Sequence, residues 1–264
     1  PDIVGMVAAS AALVISGATF ANSIGPAPGN GQITTGGAAA GVNPLYLFVN
    51  TTTGLTTVNS SIVDNGTGQT RLVYTPFNAS VTSLNGANTY SGGTQLNGGV
   101  SHTGTLALNV AGADGATTVA IPAGDLVLNA AAVRLDASSQ IHNSVTPTLN
   151  GGSTLNLNNF NQTLAGLTFD NSGHATAASV VTGTGVLTLN GNINATSGNA
   201  GSISTISGAG TGGIAVDLNG STRTINAGAV TINGNTPLAS LPPTLSISAP
   251  VGSSSNNAAT GLIK

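Results

Sequence analysis

The chain has 264 residues, a formal net charge of −3 and no cysteine, and it is 40% hydrophobic but only 3% aromatic and 4% charged. A usual soluble domain carries about 25% charged residues, so here Asn, Thr, Ser and Gly have to wet the surface while Ala, Val, Leu and Ile fill a thin core. Arg71, Arg134 and Arg223 are far apart and Lys264 is the lone lysine, which leaves no electrostatic footprint for nucleic acid or an anionic membrane; the missing cysteines exclude disulfides and thiolate metal sites.

Residues 3–21 carry no charge and are long enough to span a membrane, and Thr19-Phe20-Ala21 has the look of a signal-peptidase site. Asp2 stands where a basic flank would be, and Gly, Ser and Thr interrupt the run. The expectation is therefore a buried β or capping segment, ahead of a signal remnant or an anchor. Residues 25–31 form a Pro/Gly loop. Leu45-Tyr46-Leu47-Phe48-Val49 predicts a buried strand, and Ile62-Val63 and Leu72-Val73-Tyr74 predict further short ones. Up to residue 83 the pattern is irregular and fits either distorted coils or a small subdomain.

From residue 84 the plan is plainer. Residues 84–100 read as a short strand end, a turn at Asn85-Gly86, the aromatic Tyr90, a corner at Gly92-Gly93, and a strand closed by Asn97-Gly98. A short apolar strand ending in Asn then keeps returning, at Leu96-Asn97, Leu108-Asn109, Leu128-Asn129, Leu149-Asn150, Leu157-Asn158, Leu189-Asn190, Leu218-Asn219 and Ile232-Asn233. Apolar residues alternate around it, as in Leu126/Leu128, Leu155/Leu157 and Leu187/Leu189, which predicts short half-buried strands. No stretch shows a helical stripe. The fold class is all-β: a right-handed parallel β-helix, or β-solenoid, with irregular coils and loops. At about 20–25 residues per coil, on the order of eleven to thirteen coils would make a rod of roughly 50–60 Å. The repeated Asn has two readings, an amide ladder from coil to coil or a residue that tolerates the left-handed corner. Residues 1–83, 84–236 and 237–264 divide the chain into an N-terminal segment, regular coils and a Pro/Ser/Gly-rich tail.

Residues 86–99 (GANTYSGGTQLNGG) resemble the autotransporter-associated β-strand repeat of bacterial surface proteins, whose core is approximately G-x-N-T-Y-x-G-G-T-x-apolar-x-x-G. The resemblance covers few residues, but its Asn-Thr-Tyr-Ser-Gly-Gly-Thr run is specific. It implies a parallel β-helix in an exported passenger region. The terminal Gly261-Leu262-Ile263-Lys264 is similar to the run that opens a further repeat in that family, so the chain reads as a section of a longer repetitive protein.

Chemistry-bearing patterns are sparse. The carboxylates are Asp2, Asp64, Asp114, Asp125, Asp136, Asp170 and Asp217, with no close pair of the kind glycoside hydrolysis needs; corner and cap roles are expected. Arg134 beside Asp136 reads as a surface ion pair. His102, His142 and His174 lack metal-ligand spacing. The Gly-x-Gly runs are turns, and the Asn-x-Ser/Thr sequons reflect composition. No catalytic, cofactor-binding or metal-ligating residue is assigned. The expected role is a non-catalytic structural or adhesive solenoid, extracellular or on a bacterial cell surface, self-associating end to end or laterally and meeting surface glycans or neighbouring cells, with no nucleic acid and no membrane insertion by the folded domain. The alternative is a polysaccharide-binding or polysaccharide-degrading β-helix module.

Overall fold

A computed structural model describes residues 11–16, 23–24, 31–35, 39–50, 54–99, 103–172, 174–232, 235, 242–254 and 261–263. Every regular element among them is a strand, and every pairing between named strands is parallel. Two long sheets dominate. The first has ten strands, Ala11–Ser16, Gly41–Asn50, Gly68–Phe77, Thr94–Asn97, Leu126–Asn129, Thr148–Asn150, Leu167–Asn171, Ile193–Ser197, Arg223–Ala227 and Leu262–Ile263, each paired with its neighbours in that order. The second stacks nine, from Ser23–Ile24 through Val81–Leu84 and Thr105–Leu108 to Leu245–Ile247. A third face carries Gln32–Ile33 paired with Ser61–Ile62, and then a four-stranded sheet of Gln162–Leu164, Leu187–Leu189, Val216–Asp217 and Val251–Gly252. The chain is a parallel β-solenoid. Its sheets run across residues 83 and 236 without a break in pairing.

Strand alternation explains why these sequences stack. In the first sheet Leu47, Tyr74, Leu96, Leu128, Leu149 and Phe169 occupy one inward column through successive registers. In the second, Leu106, Val133, Leu155, Val180 and Ile206 do the same, all without solvent exposure. Each such side chain contributes about 1.5–3 kcal/mol by leaving water. Since side chains alternate with period two, a one-residue slip would put the whole column outside, and this fixes the register.

The coils are longer and fewer than the spacing predicted. Register steps in the first sheet are as short as Thr148 to Thr168 and as long as Arg223 to Leu262. With ten strands in that sheet, the coil number falls below the expected eleven to thirteen. Insertions between strands account for this. One of them, residues 109–125, is a compact loop held by the Asp114 carboxylate, whose Oδ1 accepts from the backbone N–H groups of Ala116, Thr117 and Thr118 at 2.8–2.9 Å. Of residues 3–21, Ala11–Ser16 form a strand paired with Leu45 to Asn50; the remainder of that stretch lies outside the described residues.

The 86–99 stretch builds a complete corner. Tyr90 is fully buried, and its hydroxyl shares a 2.6 Å hydrogen bond with Thr94 Oγ1; burial pushes the phenol above its ordinary range, so it stays neutral. Asn88, also buried, accepts from Ile62 N in the coil before and donates to Ala120 O in the coil after, at 2.7 and 2.6 Å. Gly92 lies against the preceding coil, where a Cβ would stand 2.6 Å from Thr70 O, and Gly93 turns the chain at φ +86°.

Candidate functional site

The surface offers three groups of residues that could carry a function: the carboxylates, the outward amides and a few exposed apolar side chains. The carboxylates serve the backbone. Asp64 accepts from Thr70 N at 2.6 Å and grips Ser91 of the next coil twice, through Ser91 N (3.0 Å) and Ser91 Oγ (2.7 Å). Asp217 repeats the arrangement on Ser254, with Ser254 N at 3.0 Å on one oxygen and Ser254 Oγ on the other, and it also caps Asn219 N at 2.9 Å. Burial pushes both pKa values up, yet the donated hydrogen bonds outweigh it, and both groups lie below the ordinary carboxylate value. The hydrogen bonds inside its loop lower Asp114 further still. Asp170 accepts from Ser172 N at 2.9 Å.

The remaining described carboxylates meet arginine. Arg134 binds Asp136 in two parallel contacts of 2.7 and 2.8 Å, the ion pair expected from the sequence. Arg71 lies 3.5 Å from Asp125 and donates from Nε to Gly92 O at 2.8 Å, so it ties three successive coils. Asp2 and His102 lie outside the described residues. His142 Nδ1 lies 2.7 Å from Ser144 Oγ and 3.1 Å from Ser144 N. His174 meets the next coil through its backbone carbonyl, which accepts from Ser202 Oγ at 3.0 Å. Among the described residues, no three His, Cys, Asp or Glu side chains converge as a metal site would require.

The repeated Asn resolves into both of its readings, at different places. Asn97, Asn129 and Asn150 stand in register on the outward side of the first sheet. Asn129 Nδ2 donates to Asn97 Oδ1 at 2.9 Å and Asn150 Nδ2 to Asn129 Oδ1 at 2.5 Å, which is a ladder. Asn85 on Asn59, Asn219 on Asn190 and Asn226 on Asn194 add further rungs of 2.8–3.0 Å. Asn158 takes the left-handed corner at φ 50°, and Asn219 combines that corner, at φ 48°, with its rung.

A second set of amides was not anticipated. Gln140 is buried and replaces a missing strand residue: its Oε1 accepts from Val110 N at 2.7 Å, and its Nε2 donates to Val110 O at 3.0 Å. One coil on, Gln162 does the same to Ile141, at 3.0 and 2.7 Å. Together they fill the third face where it has no continuous sheet. Each would cost about 1–3 kcal/mol if left unpaired. Nothing in the sequence marks them in advance, since Gln140 follows Ser138-Ser139 and Gln162 follows Asn161 in polar runs.

Exposed apolar side chains lie towards both ends of the first sheet, Leu262 and Ile263 on the last strand and Val42 and Tyr46 (42% exposed) on Gly41–Asn50. Nearby, the Phe48 and Phe77 rings lie 6.4 Å apart. No helix among the described residues is long and apolar enough to cross a membrane. Comparison with known proteins finds no matching family model, no similar curated protein and no similar solved structure.

Proposed function

We propose that the chain is a non-catalytic structural or adhesive β-solenoid, a section of a longer repetitive protein outside a bacterial cell or on its surface. The observation that carries this reading is the ladder. Asn97, Asn129 and Asn150 use the outward positions of successive strands to satisfy one another, so a neutral face is built for stiffness with very little charge. Low charge also removes the repulsion that holds copies apart, which supports lateral or end-to-end self-association. The resemblance of residues 86–99 to the autotransporter-associated repeat supports the exported, repetitive setting. Electron microscopy of native material tests it: fibres or stiff rods are expected, and flexible or globular particles would overturn it.

A second reading keeps one specific observation. Tyr46 is exposed beside the Phe48–Phe77 pair, and aromatic faces of this kind can stack on sugar rings. A polysaccharide-binding module would lose its glycan-array signal on Tyr46→Ala, whereas the structural role would be unaffected by that change.

A further inference from the structure

Eight Asn-Gly pairs occur in the sequence, at Asn30, Asn65, Asn85, Asn97, Asn150, Asn190, Asn219 and Asn233. Asn-Gly is the dipeptide most prone to lose ammonia. The glycine nitrogen attacks the side-chain carbonyl carbon, a C–N bond forms, and the amide nitrogen departs as ammonia. One water then opens the resulting succinimide to aspartate or isoaspartate. The step needs a glycine N–H that is free to give up its proton and move onto Cγ.

The solenoid separates these pairs. Gly98 N donates to Asn129 O at 2.8 Å and Gly151 N to Asp170 O at 3.0 Å, both in the next coil. Gly220 N donates to Ser253 Oγ at 2.9 Å, and Gly86 N reaches Val58 O at 3.4 Å. Gly191 N and Gly66 N have no such acceptor among the described residues. Asn190 is exposed, and its Oδ1 already accepts from Asn219 Nδ2 at 2.8 Å. That hydrogen bond polarises the carbonyl under attack and stabilises the oxygen as it gains charge.

We infer that Asn190 is a built-in deamidation site, with Asn65 second, and that the ladder residues Asn97 and Asn150 are protected because the next coil holds the nucleophile. Conversion at Asn190 is compatible with the fold: aspartate keeps an oxygen for Asn219 Nδ2, so the rung survives while the surface gains a negative charge. Conversion at Asn150 would instead replace the Nδ2 that donates to Asn129 Oδ1 and break that rung. The arrangement directs chemical ageing of a long-lived surface to a position that tolerates it.

The test is peptide mapping with isoaspartate detection after prolonged incubation of the folded protein in mildly alkaline buffer, beside a sample kept in denaturant. In the folded protein, Asn190 should convert first and Asn65 next, with Asn97 and Asn150 at least roughly tenfold slower, because Gly98 N and Gly151 N must first leave their acceptors in the next coil. In denaturant the four should react at similar rates. Asn97 or Asn150 converting as fast as Asn190 in the folded protein would overturn the inference, as would an Asn190 that stays intact there while reacting in denaturant.

Discussion

The coils between Thr94 and Asn171 differ from those that follow Ile193, although both belong to one sheet. In the first region the inward residues Leu96, Leu128, Leu149 and Phe169 are completely buried, and the step from Thr148 to Thr168 is short. In the second the same column continues as Ala195 and Ala227, and the last step, from Arg223 to Leu262, is long. Arg223–Ala227 is only partly covered, and Leu262 and Ile263 are 43% and 55% exposed. Parallel pairing alone therefore does not make a tight solenoid. The tight region has a large side chain at these inward positions, where the looser one has alanine, although both carry amide rungs outside.

That contrast can be broken at several strengths. Phe169→Ala should cost about 3–5 kcal/mol by emptying the column, while Ile225→Val, at the partly covered rung, should cost about 1 kcal/mol or less; equal losses in denaturant titrations would erase the distinction. Gly92→Ala comes next. A Cβ there would stand 2.6 Å from Thr70 O, and such overpacking costs about 1–3 kcal/mol, seen as a lower unfolding midpoint. Asn129→Ala leaves Asn150 Nδ2 without its acceptor and Asn97 Oδ1 with Gln95 Nε2 as its remaining donor, for a loss of about 0.5–1.5 kcal/mol; Asn226→Ala, at an exposed single rung, should be smaller.

The smallest effects concern pH and proteolysis. Asp64 and Asp217 have pKa values below the ordinary 3.8 in the folded chain. Their hydrogen bonds therefore add stability that is fully present above that value and is lost as pH falls through the lower folded ones. Unfolding curves should show this acid loss flattened in Asp217→Asn, which has no carboxylate to protonate; an unchanged slope would remove Asp217 from the account. Arg71 and Arg134 lie inside paired strands and should resist trypsin better than Arg223 at the looser rung. Limited proteolysis that begins at Arg134 would reverse the order.

Much of the fold was legible because alternation writes itself into the sequence. Leu126/Leu128 and Leu155/Leu157 announce their strands, and Tyr90 with Gly92-Gly93 announces the corner. The coil count was not legible, because loop length leaves no periodic trace; the 109–125 loop spaces Asn97 from Asn129 without disturbing their rung. The two fates of Asn were equally hidden. Asn150 and Asn158 look alike in sequence, and only the alignment of the coil below decides that one extends a ladder and the other turns a corner. The buried Gln140 and Gln162 belong to no repeat, so their strand-replacing role emerges only when Val110 and Ile141 are placed beside them.

The central claim, that successive coils stack in this register with the Asn column outward, can be tested through the absence of native cysteine. Thr148 and Thr168 are direct register partners on the outer face, and Asn194 is one coil beyond. Neighbouring strands lie about 4.8 Å apart, within the Cα range a disulfide spans, whereas two coils apart is about 9.6 Å and beyond it. The account predicts that the double variant Thr148→Cys with Thr168→Cys cross-links under mild oxidation and that Thr148→Cys with Asn194→Cys does not. Cross-linking of the second pair in preference to the first would contradict it.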